Sequence, residues 1–182
     1  EEMFCSVVFE DARVPVDYRI GGEGEGWLVA MVNLGSERFG TDGLAIGMSS
    51  DLDAMVNIAA SVNPDALRDP AIRGRIAEAH TRIEYSKLLN YRALSKILRN
   101  EKNWPEVPLA KLQWSYLAQT LAELAMDLLG PDALYGKGAE HGIDGGAWNR
   151  LYVFQRYTSI GAGTTEVQKT INADKAIKMP RK

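Results

Sequence analysis

Apolar residues recur at helical spacing over most of this chain. Leu44, Met48, Met55, Ile58 and Val62 fall three, four or seven positions apart and predict a first long helix over 27–62. Asn63-Pro64 ends it. Asp69-Pro70 then offers an N-cap followed by proline at the first helical position. The second helix carries Ile72, Ile76, Ala79 and Ile83, then Leu94, Ile97 and Leu98, until "NEKNWPEVP" breaks it. A third aligns Leu117, Leu121, Leu124 and Leu128 on one face and stops at Gly130-Pro131. Residues 131–147, "PDALYGKGAEHGIDGGA", hold too much glycine for regular structure. A shorter helix is expected over 148–157. A last one begins after "GAGT", where Thr165 and Gln168 have capping-box spacing, and runs to about residue 178. Three long helices and a shorter one, joined by modest loops, predict an all-α fold, an antiparallel four-helix bundle. Two stretches near the start break the helical pattern. "FCSVVF", residues 4–9, reads as a short β-strand ahead of the bundle. "GGEGEG", residues 21–26, reads as a hinge, because no phosphate-loop or dinucleotide fingerprint follows its glycines.

Composition narrows the picture. The 182 residues are 46% hydrophobic, an ordinary value for a globular chain with one well-packed domain. A formal net charge of −3 gives no electrostatic reason to expect nucleic acid or an anionic membrane as partner. No apolar run approaches the roughly 18 residues of a membrane span. Cys5 is the single cysteine, so no disulfide framework exists and a reducing, cytoplasmic setting is expected. His80 and His141 lack ligand spacing and predict no metal site. Trp104, Trp114 and Trp148 read as packing anchors. The opening "EEMFCSVVFEDARVP" has no initiator methionine and starts on a strand-like run, so we expect the C-terminal piece of a longer protein.

Read from residues alone, the chain is an α-bundle with a glycine-rich loop, "SIGAGTTEVQ" (159–168), at a helix start. Two longer stretches say more. "FEDARVPVDYRIGGEGEGWLVAMVNLGSERF" and "YTSIGAGTTEVQKTINADKAIKMPR" resemble, in order and spacing, the two segments that bound the C-terminal helical domain of the acyl-CoA dehydrogenases. The resemblance covers essentially the whole chain. It implies that residues 1–22 are the end of the family's middle β-domain with its linker, that 23–182 are the helical bundle, and that the N-terminal domain and most of the middle one are missing.

The resemblance also implies a chemistry: FAD-dependent α,β-dehydrogenation of an acyl-CoA thioester, an oxidoreductase reaction of fatty acid or lipid metabolism. The flavin carries the redox work, and the protein supplies placement, a base and carbonyl polarisation. Most members hold the base just before the Gly-Thr of the closing motif. Here that residue is Ala162, whose methyl cannot take a proton. A minority place it on the first helix of this domain, immediately before an arginine, and this chain has Glu37-Arg38 there. Glu37 is therefore the expected base, with Arg38 as structural support. Ala162 keeps the other expected role, since its backbone N–H can polarise the thioester carbonyl without a side chain. Gly161 and Gly163 would let the backbone approach closely. Gly163, Thr164 and Glu166 fall on positions near FAD in the family, although Glu166 could serve only to complement the helix dipole.

The middle of the chain departs from the family. An Arg-x-x-Phe-Gly segment that helps hold FAD is replaced by "SVNPDALRDPAIRGR", where Arg68, Arg73 and Arg75 either substitute or form a solvated helix start. A Q-x-F-G-G segment is replaced by "DLLGP", which keeps Gly130 alone. Tyr85, Leu88 and Leu89 either line an acyl cavity or pack in the core. These departures leave two further readings: a catalytically weak partner subunit of a hetero-oligomeric acyl-CoA dehydrogenase, and a non-enzymatic helical association scaffold. The family implies assembly as a homo-oligomer, commonly a tetramer, or as a hetero-oligomer with a second such chain. The fragment alone is expected to be inactive.

Overall fold

A computed structural model describes residues 5–37, 44–101 and 105–180. The backbone divides into two compact units, 1–35 and 36–182. In the first, Pro15 leads a single 3-10 turn, Val16–Tyr18, and a glycine turn then feeds helix α1, Gly26–Glu37. Gly21 and Gly24 adopt positive φ, which glycine accepts without a Cβ clash. The Gly22 N–H donates to the Glu25 carboxylate at 2.7 Å, so a side chain of the chain itself closes this turn. The strand expected over 4–9 does not form a ladder among the described residues: 5–9 are exposed and unassigned to any sheet. A strand needs a neighbour to take its backbone hydrogen bonds, and none of the described segments offers one.

The second unit is helical. Helices α2 (Leu44–Val62), α3 (Pro70–Leu98) and α4 (Glu106–Leu129) are long; α5 (Ala147–Phe154) and α6 (Thr165–Asn172) are short. A 3-10 turn, Gln155–Ser159, prolongs α5, and a π-turn, Ala173–Ile177, prolongs α6. Where one helix was expected over 27–62, α1 and α2 occupy its two ends, and 38–43 lie outside the described residues. Asp69 caps α3 as its sequence predicts, accepting from the Ala71 N–H at 2.7 Å with Pro70 at the first position.

Cross-links fix the directions of these elements. Arg75 near the start of α3 pairs with Asp127 near the end of α4 at 2.6 Å. Arg92 and Lys96 near the end of α3 reach Glu106 at the start of α4, at 2.9 and 2.8 Å. The two helices are therefore antiparallel. The Asn63 amide just beyond α2 donates to the Leu128 carbonyl near the end of α4, so α2 runs with α4 and against α3. On the other side, Asn149, Arg156 and Thr158 contact Leu134, Glu123 and Ser115 in turn, a second antiparallel run. Lys169 of α6 then stands over the Tyr116 ring.

Helix α4 is the shared neighbour of all of these. Leu117, Leu121, Leu124 and Leu128, the face legible in the sequence, are buried, and so are Ala118, Ala122 and Ala125 beside them. Against them lie Met48, Leu52, Met55 and Ala59 of α2, Ala79 and Ile83 of α3, and Trp148 of α5. On α3 the buried line continues through Leu89 and Ala93. Leu94 and Leu98, expected inside, are exposed.

Glu106 is the buried charge that ties α3 to α4. Burial pushes its carboxyl up, but the Lys96 ammonium, its own backbone N–H and the Arg92 charge together hold it below the usual glutamate value. A carboxylate lowered in this way contributes stability that is complete above its unfolded-state pKa and is lost as pH falls through the folded one. Glu106→Gln should lower unfolding free energy at neutral pH by about 1–3 kcal/mol. It should also flatten the acid limb below the ordinary glutamate range, as urea titrations across pH would show. An unchanged acid limb would mean that Glu106 does not set it.

Candidate functional site

The loop that drew notice in the sequence is held by its carbonyls. The Tyr157 carbonyl accepts from the Ile160 and Gly161 N–H groups at 2.8 and 2.9 Å. The Thr158 carbonyl accepts from the Lys111 ammonium and from the Ser115 hydroxyl, both at 2.8 Å and both on α4. The Ser159 carbonyl takes the Thr165 hydroxyl at 3.5 Å, and the Ala162 carbonyl takes the Gln168 amide at 3.1 Å. Gln168 is wholly buried and its Oε1 has no partner. The Ala162 N–H has no hydrogen-bond partner among the described residues, while Gly161 and Ala162 lie in a hydrogen-bonded turn that closes at Gly163. These four carbonyls are turned to the protein and the Ala162 amide is left over, near the positive end of α6.

Two local constraints produce this arrangement. Ala162 sits at φ +54° and Gly163 at φ +91°, a left-handed pair in which alanine costs about 1 kcal/mol and glycine nothing. Gly161 has a different reason for lacking a Cβ: the Tyr157 ring occupies the space where it would go. The glycine thus accommodates a side chain of its own loop. The cap also shifts by one residue from the expected Thr165–Gln168 box. Thr164 is the N-cap, its Oγ1 accepting from the Val167 N–H at 3.3 Å, because Gln168 is drawn inward to the Ala162 carbonyl. Having accepted there, the Thr164 hydroxyl still has a proton to donate. Glu166 is exposed in the first turn of α6. The Tyr116 oxygen beside Lys169 holds that ammonium above its ordinary value, a second tie from α6 to α4.

Ala162, Gly163, Thr164 and Glu166 are thus gathered on one loop and helix start. Gly130 is elsewhere: it ends α4 at φ +83°, where its N–H returns to the Met126 carbonyl. Fifteen residues of α4 at 1.5 Å each put it about 22 Å along the helix from Ser115, which contacts Thr158 of the loop. Glu37 is the last residue of α1, but its side chain lies outside the described residues, and so does Arg38.

The three candidate arginines separate cleanly. Arg68 pairs with Asp65 and Arg75 with Asp127. Arg73 makes one long bond, 3.5 Å, to the Leu67 carbonyl, and no carboxylate partners it among the described residues. It borders a cleft of about 650 Å³ with Leu52, Val56, Leu67 and Ile76 as apolar wall and His80 at the rim. Tyr85, Leu88 and Leu89 border a second cleft, about 450 Å³, beside Glu106. Sequence reasoning missed Lys111, Ser115 and Thr158; a lysine and a serine inside the apolar run of α4 were the available signal. Among the described residues, no three His, Cys, Asp or Glu side chains converge as metal ligands, and no helix is long and apolar enough to cross a membrane.

Comparison with known proteins decides the family. Residues 24–177 match the pattern described as acyl-CoA dehydrogenase, C-terminal domain. The chain belongs to the acyl-CoA dehydrogenase family. It is 33% identical over 179 residues to acyl-CoA dehydrogenase IpdE1 of Mycobacterium tuberculosis, covering 98% of this chain and 44% of that protein. To the mitochondrial short-chain specific acyl-CoA dehydrogenase of Bos taurus it is 31% identical over 184 residues, covering 97% and 42%. Among solved structures, the Tcur3481-Tcur3483 steroid ACAD superposes with a TM-score of 0.83 at 21% identity, covering 96% of this chain and 45% of that one. This acyl-CoA dehydrogenase domain therefore has the family's helical fold and spans less than half the length of these relatives.

The Tyr157–Gly161 contact in this acyl-CoA dehydrogenase loop is open to a double-mutant cycle. Gly161→Ala should destabilise the domain on its own by about 1 kcal/mol or more and cost little in a Tyr157→Ala background. Denaturant midpoints of the four variants would show the coupling. Equal costs in both backgrounds would mean that the ring is not what the glycine accommodates.

Proposed function

We propose that the intact protein removes an α-proton and a β-hydride from an acyl-CoA thioester, leaving a Cα=Cβ double bond. The observation that carries this is the unused N–H of Ala162 in a loop whose carbonyls at 157, 158, 159 and 162 are held by the protein. In this reading the thioester oxygen accepts from the Ala162 N–H, which polarises the carbonyl and steadies the enolate. One well-placed donor of this kind is worth about 3 kcal/mol of barrier. The Glu37 carboxylate takes the α-proton, helped by Arg38 as structural support. Burial against substrate would raise its pKa toward the value such a transfer needs.

FAD, when bound, supplies the hydride acceptor. The residues at hand fit such a group. Gly163 has no side chain to block a close approach, Thr164 keeps a hydroxyl proton to donate, and Glu166 stays at the helix end as dipole partner. Arg73, which has no ion-pair partner among the described residues although Asp53 lines the same cleft, and Gly130 stand toward the other end of α4 and suit a phosphate-bearing part of the cofactor. That separation also supports a second reading, in which these two residues serve a flavin held mainly by another subunit. Structures described as a ChsE4-ChsE5 complex and a Tcur3481-Tcur3483 steroid ACAD are two-component neighbours of the same fold. Exposed, unpaired Cys5 suits a reducing compartment such as the cytoplasm.

Glu37→Gln in the intact protein should keep flavin and acyl-CoA binding and lose turnover by about 10³-fold or more, read by flavin bleaching on mixing with acyl-CoA. Adding Ala162→Glu to that variant should restore part of the rate by returning a carboxylate to the loop. Near-normal turnover in Glu37→Gln would remove Glu37 from the base role. Flavin lost on purification alone and regained with a second acyl-CoA dehydrogenase-like chain would favour the two-subunit reading.

A further inference from the structure

Among the described residues the largest fully buried side chain is Lys111, and it is a lysine. An ammonium taken from water costs several kcal/mol unless strong acceptors meet it. A core position on α4 could hold leucine or methionine at no such cost. What the lysine adds is a charge-assisted bond to the Thr158 carbonyl at 2.8 Å, across 47 residues of sequence. Ser115, one turn further along α4, has its hydroxyl 2.8 Å from the same carbonyl and 2.9 Å from the Lys111 carbonyl, so its one proton is shared between them. The Thr158 hydroxyl lies 2.7 Å from the Gln155 carbonyl and 3.2 Å from that of Ser115. Thr158 itself is buried. The bundle's central helix therefore grips the backbone at Thr158, four residues before Ala162, while Gln168 grips it at Ala162. At the second grip the chain turns through the left-handed pair at 162 and 163.

We infer that Lys111, with Ser115, is a positioning residue for the acyl-CoA site: by anchoring the Thr158 carbonyl to α4 it sets the direction of the Ala162 N–H. This deepens the proposed role of Ala162 and rests on it. A lysine fits the task because its ammonium on a long stem spans from the α4 backbone to the loop, and its charge makes the carbonyl contact short and directional. An apolar residue of equal volume would fill the space without fixing the peptide plane at Thr158.

The test uses the intact flavoprotein and acetyl-CoA labelled with ¹³C at its carbonyl, a thioester that has no β-carbon to oxidise. Its carbonyl stretch is read by isotope-edited infrared difference spectroscopy. Wild type should lower the stretch on binding. Lys111→Met, folded and flavin-loaded, should bind acetyl-CoA and lose most of that downshift. Ser115→Ala, which removes one of the two donors and keeps the charge, should lose a smaller part; it carries the test by itself if Lys111→Met fails to fold. A folded variant at either position with the full wild-type downshift would overturn the inference, whatever its melting temperature, because a purely structural role lowers stability without moving the carbonyl. A wild-type complex with an unshifted stretch would instead overturn the Ala162 reading, and this inference with it.

Discussion

Helix α4 is covered over most of its circumference, and most of the domain follows from having to cover it. A line through Tyr116, Glu123 and Asp127 meets water; against its leucines and alanines α2, α3 and α5 supply apolar surface, while α6 brings the buried polar Thr165, Gln168 and Asn172. Burial of the other faces leaves the polar side chains there nowhere to go but to specific partners. Glu106 finds the cations of α3; Lys111 and Ser115 find a carbonyl on the site loop. The helix that organises the core thereby also holds the loop, and there is no separate scaffold for the site.

That coupling explains why a glycine-rich loop can keep one shape. Two left-handed residues and a ring-filled gap would be poorly specified if water supplied their hydrogen bonds. Six protein contacts to the carbonyls of 157, 158, 159 and 162 replace that water. Each contact comes from a residue already fixed: two from α4, two from the first turn of α6, the remainder from the loop's own backbone. The Ala162 amide is left without a partner among the described residues between these held carbonyls. In the proposed reaction, that donor is oriented before substrate arrives, so little reorganisation is left for the chemical step.

The sequence showed the helices well where a long apolar period met a strong terminator. Asp69-Pro70 and the leucine face ending at Gly130 are local signals, and both stand in the structure. It showed less where burial depends on neighbours. Leu94 and Leu98 follow the same period as Leu89 and Ala93, and the path of α4 alone decides which pair is covered. "FCSVVF" has strand composition but no ladder partner among the described residues, and composition cannot supply one. The site loop was found through its glycines, yet for an incomplete reason. Gly161 answers to Tyr157, and the Thr165–Gln168 spacing hid a glutamine turned inward to hold Ala162. The signal at Lys111, a lysine inside an apolar run, was weak because a lone lysine in a helix reads as solvated until the helix is known to be central.

These contacts bear on how the residue at 162 could become alanine without dissolving the site. The backbone there is held at positive φ by Gln168 from one side and by the flanking glycines, and none of these bonds involves the side chain of 162. A carboxylate at that position would suffer the same left-handed cost as the methyl, so losing it relieves no strain and moves no backbone. On the proposed reading, carbonyl polarisation and proton removal are then separable: the first needs only the Ala162 N–H, on a loop whose carbonyls at 158 and 162 are held from α4 and α6, the second whichever segment can bring a carboxylate to the α-carbon. On the proposed reading that segment is the end of α1, and placing the base there leaves the loop's donors where they were. A loop anchored through its carbonyls tolerates that exchange, whereas one anchored through the side chain at 162 would not.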